Sequence, residues 1–159
     1  MQALRKEGRA RAGLVLMGHS MGAVAALRAA AGEHDVRAVV VEAPYDNYRA
    51  NVFHHAWLLY RLPRWVPIIP ITIAIAEWRA GFQADDVDAV KASASFAAPL
   101  LAIADGADTR MPEEVVRRVA DAHAGPHQLW VAPGAEHVGA ILHPDYWRVV
   151  VAFLDAAGA

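Results

Sequence analysis

Residues 14–27, LVLMGHSMGAVAAL, constrain this chain more than any other stretch, because one Ser stands between two Gly where the residue pattern changes abruptly. Leu14 to Met17 is a short all-apolar run and reads as a buried β-strand. Met21 to Ala31 is Ala-rich, stops at Gly32 and reads as a helix. Between them, Gly18-His19-Ser20-Met21-Gly22 matches G-x-S-x-G, in which a strand turns sharply into a helix and leaves the Ser Oγ standing at the carboxyl end of a sheet. Strand and helix approach so closely at such a turn that side chains two residues either side of the Ser would collide, which gives Gly18 and Gly22 a steric task. Ser20 is therefore a candidate nucleophile.

The rest of the chain repeats the strand-then-helix signal. AVVVEA (Ala38 to Ala43) and PLLAIA (Pro99 to Ala104) read as buried strands running into the polar loops PYDNY and DGADTRMP. Pro112 then opens a helix near Glu113 to His123, with two Glu in its first turn where the helix dipole favours them. QLWVA (Gln128 to Ala132) is a fourth strand, PGAEHVGAILHP follows it, and Tyr146 to Ala157 is a closing helix. This order predicts an α/β fold, a mostly parallel sheet with helices on both faces, in one domain over residues 1–159. One segment interrupts the alternation. Asn47 to Phe82 is rich in Trp, Ile and Pro and reads as a helical cap whose apolar residues divide between ordinary core and the wall of an apolar pocket.

Composition narrows the partners. A hydrophobic content of 56% with 20% charged residues belongs to a folded chain, and a net charge of −2 gives no pull toward nucleic acid, so a small molecule is the expected ligand. Without Cys the chain forms neither a disulfide nor a thiolate zinc site. The uncharged stretch Val66 to Ala76 is too short to span a bilayer, and the basic start MQALRKEGRARAG has no apolar core of a signal peptide, so the expected location is the cytoplasm.

A Ser hydroxyl acts as a nucleophile only with a base to take its proton and an acid to orient that base. Asp108, after the third strand, and His137, after the fourth, stand where loops at the carboxyl edge of the sheet would bring them to Ser20. Asp105 in the same loop is the rival acid, and Asp108 could instead cap a turn. His143 adjoins Pro144 and is expected to shape the approach to the last helix. His54 and His55 are adjacent, face different ways on a helix, and read as cap residues rather than metal ligands; no metal or other cofactor is expected. His19 is expected to shape the turn at Ser20 rather than to act as base.

With GHSMG around Ser20, the D-x-x-x-P of Asp108 to Pro112 after PLLAIA, and EHVG with His137, the chain resembles the α/β-hydrolase superfamily, in particular its esterases, lipases and acyl-peptidase-like members, from Leu14 nearly to its end. The resemblance implies Ser20 as nucleophile, Asp108 as acid, His137 as base, the Met21 N–H as one oxyanion-hole donor, and residues 47–82 as a cap over an acyl substrate. It implies a hydrolase of carboxylic esters working through an acyl-enzyme. Many members carry Gly where this chain has Asp105. In that superfamily the turn follows the fifth strand of an eight-stranded sheet and a loop near the third supplies the second oxyanion donor. The expectation is thus a C-terminal portion in which MQALRKEGRA ends the preceding helix, the hole is incomplete and activity is impaired. The other class of function is a non-catalytic module that self-associates as a homo-oligomer through the open edge of its first strand.

Overall fold

The computed structural model describes residues 13–159; the start of the chain, including the expected helix end in MQALRKEGRA, lies outside the described residues. The elements follow in the order β1 (Leu14–His19), α1 (Met21–Ala31), β2 (Val36–Glu42), α2 (Tyr48–Tyr60), α3 (Ile68–Ala80), α4 (Ala89–Ser93), β3 (Leu100–Asp105), α5 (Glu113–Asp121), β4 (His127–Ala132) and α6 (Tyr146–Ala157). The four strands form one sheet in the order β1-β2-β3-β4 with every pair parallel. All four carboxyl ends therefore lie on one edge. Ser20, the loop after β3 and the loop after β4 all start there.

The apolar runs of β2 and β3 arise because both faces of the sheet are covered. Val39, Val41, Leu100, Ala102 and Ala104 point to one side, where they pack with Val24 and Leu27 of α1 and Val116 and Val119 of α5. The alternating set Ala38, Val40, Leu101 and Ile103 points to the other and packs under Tyr146, Val150 and Phe153 of α6. A period of two thus divides each strand between two cores. The first strand is less buried than its all-apolar run alone suggests: Val15 is 39% and Met17 43% exposed. The core beneath α6 includes residues of β2, β3 and β4 and none of β1.

The interrupting segment folds as two helices. Asn47 caps α2, its side chain accepting the Ala50 N–H at 3.1 Å. Pro70 falls within the first turn of α3, where its missing N–H costs no intrahelical bond. Ile69 and Ile73 of α3 are buried against Val52, Phe53 and Ala56 of α2, whereas Ile68, Ile71, Ile75 and Trp78 face outward. Six of the eight Trp and Ile side chains of this segment are therefore at the surface: Trp57, Trp65, Trp78, Ile68, Ile71 and Ile75. Among the described residues no helix is long and apolar enough to cross a membrane.

Candidate active site

Ser20 sits between β1 and α1 with φ +51° and ψ −118°, a left-handed conformation that costs free energy in any residue but Gly. Two features hold it there. Its N–H donates to the Glu42 carbonyl at 2.8 Å, tying the turn to β2. Gly18 lets α1 start directly against β1, because a Cβ at Gly18 would lie 2.2 Å from the Gly22 carbonyl oxygen. The expected steric task of Gly22 is not found: a Cβ there would meet nothing within 4 Å. The close approach is one-sided, the backbone at Gly22 pressing on the hydrogen of Gly18 while the α-hydrogen of Gly22 faces open space among the described residues. Met21 is the first residue of α1, so its N–H belongs to the first-turn amides that have no partner within the helix.

The loops after β3 and β4 are bound to each other. Gly106 N–H donates to the Ala132 carbonyl at 2.9 Å and Ala107 N–H to that of Ala135 at 2.8 Å. Asp108 is buried, and its Oδ1 accepts the N–H groups of Arg110 at 2.7 Å and Met111 at 3.0 Å. That leaves Oδ2 to face His137 Nδ1 at 2.6 Å, while Nε2 of the same ring lies 3.0 Å from Ser20 Oγ. With Nδ1–H donating to Asp108, Nε2 is free to accept the Ser20 hydroxyl proton. The structure thus aligns Ser20, His137 and Asp108 in one hydrogen-bonded line across 117 residues of sequence. A polar cleft of about 400 Å³ opens beside them, lined by Ala107, Asp108, Thr109, Arg110, Glu136 and His137.

Asp105, the rival acid, points elsewhere. It ends β3 with 1% exposure, and its carboxylate accepts the N–H of Val138 at 2.9 Å and of Ala140 at 2.8 Å. His19 Nδ1–H donates to Glu42 Oε2 at 2.6 Å. Glu42 is a residue the sequence reading passed over. Its signal was there: a carboxylate at the end of an otherwise apolar strand, AVVVEA. Burial, then the charge of Asp105, raises the Glu42 pKa above the ordinary carboxylate value; burial also raises that of Asp105, against the two N–H groups that lower it.

The remaining histidines serve the frame. His143 Nδ1 accepts the Asp145 N–H at 3.2 Å just before α6. His55 Nδ1 donates to the Asn51 carbonyl at 3.0 Å within α2, while His54 Nε2 donates to the Thr109 carbonyl at 3.2 Å and joins α2 to the Asp108 loop. Among the described residues no cluster of three or more His, Cys, Asp or Glu has the arrangement to hold a metal ion.

A parallel sheet whose first strand turns through a strained Ser into a helix is the core of the α/β-hydrolase fold, and this chain has that fold. Several solved structures are similar in fold. An esterase from Pyrococcus furiosus, PF2001, is similar over 99% of this chain and 59% of its own, with a TM-score of 0.72 and 22% identity. The esterase domain of a Rhodothermus marinus protein matches 96% of this chain and 63% of its own, with a TM-score of 0.68 and 19% identity. An acylaminoacyl peptidase from Pyrococcus horikoshii matches 97% of this chain over 26% of its own, with a TM-score of 0.70 and 16% identity. In sequence, the uncharacterized protein YqkD of Bacillus subtilis (strain 168) is 28% identical over 142 residues. That match takes in 87% of this chain and 46% of YqkD, so the chain spans about half the length of this curated relative. No family model matches.

Proposed function

We propose that the protein hydrolyses carboxylic esters through an acyl-enzyme on Ser20. The observation that carries this reading is the line from Ser20 Oγ through His137 to Asp108, with contacts of 3.0 Å and 2.6 Å. Ser20 Oγ attacks the acyl carbonyl carbon as its proton passes to His137 Nε2, and the carbonyl oxygen becomes an oxyanion that accepts the Met21 N–H. Asp108 holds the ring in the tautomer that can take this proton and balances the imidazolium that results. The tetrahedral intermediate collapses, His137 gives the proton to the leaving alkoxide, and the alcohol departs. Water then attacks the acyl-enzyme, delivering one proton to His137, which returns it to Ser20 as the acid is released.

In this reading α2 and α3 form the cap, joined to the acid loop through His54 and Thr109. A cleft of about 280 Å³ between Ala50, Phe53, His54, Trp57, Leu62 and Arg64 receives the acyl chain. The test is labelling with a fluorophosphonate, which phosphonylates an activated Ser and expels fluoride, together with hydrolysis of p-nitrophenyl esters. Ser20→Ala is expected to abolish labelling and turnover, and His137→Ala to remove nearly as much, since the residues act as one unit. Labelling that survives Ser20→Ala would refute the assignment. A wild-type protein that resists the probe and forms a stable symmetric dimer would favour the non-catalytic module.

A further inference from the structure

Behind the Ser20–His137–Asp108 line lies a second polar cluster that the proposed chemistry leaves unused. Glu42 ends β2 and Asp105 ends the neighbouring β3, and each is 1% exposed. Both carboxylates accept the same N–H, that of Ala140, Glu42 Oε1 at 3.0 Å and Asp105 Oδ1 at 2.8 Å. Two buried carboxylates meeting at one donor repel each other when both are ionised, which favours one proton held between them.

Every arm of this cluster ends beside a residue of the line. Glu42 Oε2 binds His19, the residue before Ser20, and the Glu42 carbonyl accepts the Ser20 N–H at 2.8 Å. The Asp105 carbonyl accepts the Asp108 N–H at 3.0 Å. Asp105 Oδ2 accepts the N–H of Val138, which follows His137 and sits at φ +58°, an outlying conformation for a β-branched residue. Ser20 and Val138 are two of only four non-Gly residues with positive φ among those described, and they flank the catalytic contact on either side. Strained backbone persists where its surroundings over-determine it, and here the buried carboxyls supply that constraint.

We infer that Glu42 and Asp105 are positioning residues, a buried carboxyl pair that fixes the backbone beside Ser20 and His137 and so sets the distance between nucleophile and base. The inference rests on the proposed roles of those two residues. The other titratable groups around the pair are His19 on β1, Asp108 in the loop after β3, His137 in the loop after β4, and Tyr146 on α6. The Tyr146 phenol is pushed up to about 12 by burial and then by the charges of Glu42 and Asp105. Losing the shared proton as pH rises through the raised pKa of the pair places two charges in the buried site and releases the Val138–Ala140 backbone, with a fall in kcat.

Glu42→Gln and Glu42→Ala separate this role from a merely structural one. The carboxamide cannot ionise; its oxygen accepts from His19 and its NH2 donates to Asp105, which leaves the Ala140 N–H to Asp105 Oδ1 alone. Glu42→Gln is expected to keep kcat for p-nitrophenyl acetate within about threefold and to remove its fall with rising pH, whereas Glu42→Ala lowers kcat about 10–100-fold with KM little changed. In the intact wild-type protein, 13C NMR of the two carboxyls should show one shared proton. The His137 ring resonances should move in Glu42→Ala and stay in Glu42→Gln. Unchanged kcat in Glu42→Ala, or two carboxyls that ionise together as ordinary carboxylates, would overturn the inference. If the wild-type protein leaves the probe unreacted, the reading of Ser20 fails, and the NMR still decides the pair: a His137 ring unmoved by Glu42→Ala overturns the positioning role, and a displaced ring supports it.

Discussion

Replacing Gly18 by Ala tests whether the close approach of β1 and α1 is what presents Ser20. The added Cβ would lie 2.2 Å from the Gly22 oxygen, 2.5 Å from its carbonyl carbon and 2.7 Å from the Ala23 nitrogen. All three are backbone atoms, so no side chain can swing aside. β1 is held by its pairing with β2, where Gly18 stands opposite Val41. The start of α1 must therefore retreat by roughly 1 Å, taking Ser20 with it, and a misplacement of that size costs about 10²-fold in rate. Overpacking of this kind also destabilises by about 1–3 kcal/mol, with Tm falling about 2–4 °C for each kcal/mol in a chain of this length. Gly22→Ala is the control within the same motif. Its Cβ meets open space among the described residues, and Gly→Ala in a helix stabilises by about 0.4–1 kcal/mol. The assay is the second-order rate of fluorophosphonate labelling, read beside thermal unfolding. Equal losses in the two variants, or wild-type labelling in Gly18→Ala, would refute the steric account of the turn.

Asp108→Asn should reduce turnover by about 10³–10⁴-fold by favouring the wrong His137 tautomer. Asp105→Asn should cost only about 10–100-fold, and steady-state kinetics that reverse this order would contradict the assignment of the acid. Glu42 and Asp105 are raised in the folded state, so they bind protons more tightly there than in the unfolded chain. Their contribution to stability is present in full below the unfolded carboxylate value, 4.5 for Glu42, and is lost as pH rises through the folded values. Denaturant melts across pH should show that decline in the wild type and a smaller one in Glu42→Gln, where Asp105 alone still titrates. If the cleft between α2 and the loop that follows it holds the acyl chain, binding should weaken by about 0.8 kcal/mol per CH2 removed from the ester. Trp57→Ala should flatten that slope in KM measurements, whereas Trp78→Ala, whose ring is 82% exposed and outside the cleft, should leave it unchanged.

The sequence by itself determined the alternation of strands and helices, the chain order Ser20, Asp108, His137, and the edge of the sheet on which they gather. Those are matters of local pattern, since an apolar run of four to six residues and an Ala-rich stretch closed by Gly each specify their own backbone. Even the bounds of α1 and α6, residues 21–31 and 146–157, were legible from the residues alone. What only the tertiary structure decided are contacts between residues far apart in the chain. Asp105 and Asp108 share one loop and one chemistry, but the first lies at the end of β3 and turns toward the Val138 and Ala140 amides, and the second is anchored by Arg110 and Met111 so that its free oxygen meets His137. Gly18 and Gly22 are equivalent in the motif, yet only Gly18 meets backbone when a Cβ is added. Glu42 reads as a strand end until Ala140, 98 residues later, donates to it. Periodicity records which face a residue takes on its own element, whereas the partner waiting across that face is set by packing, which a local pattern does not contain.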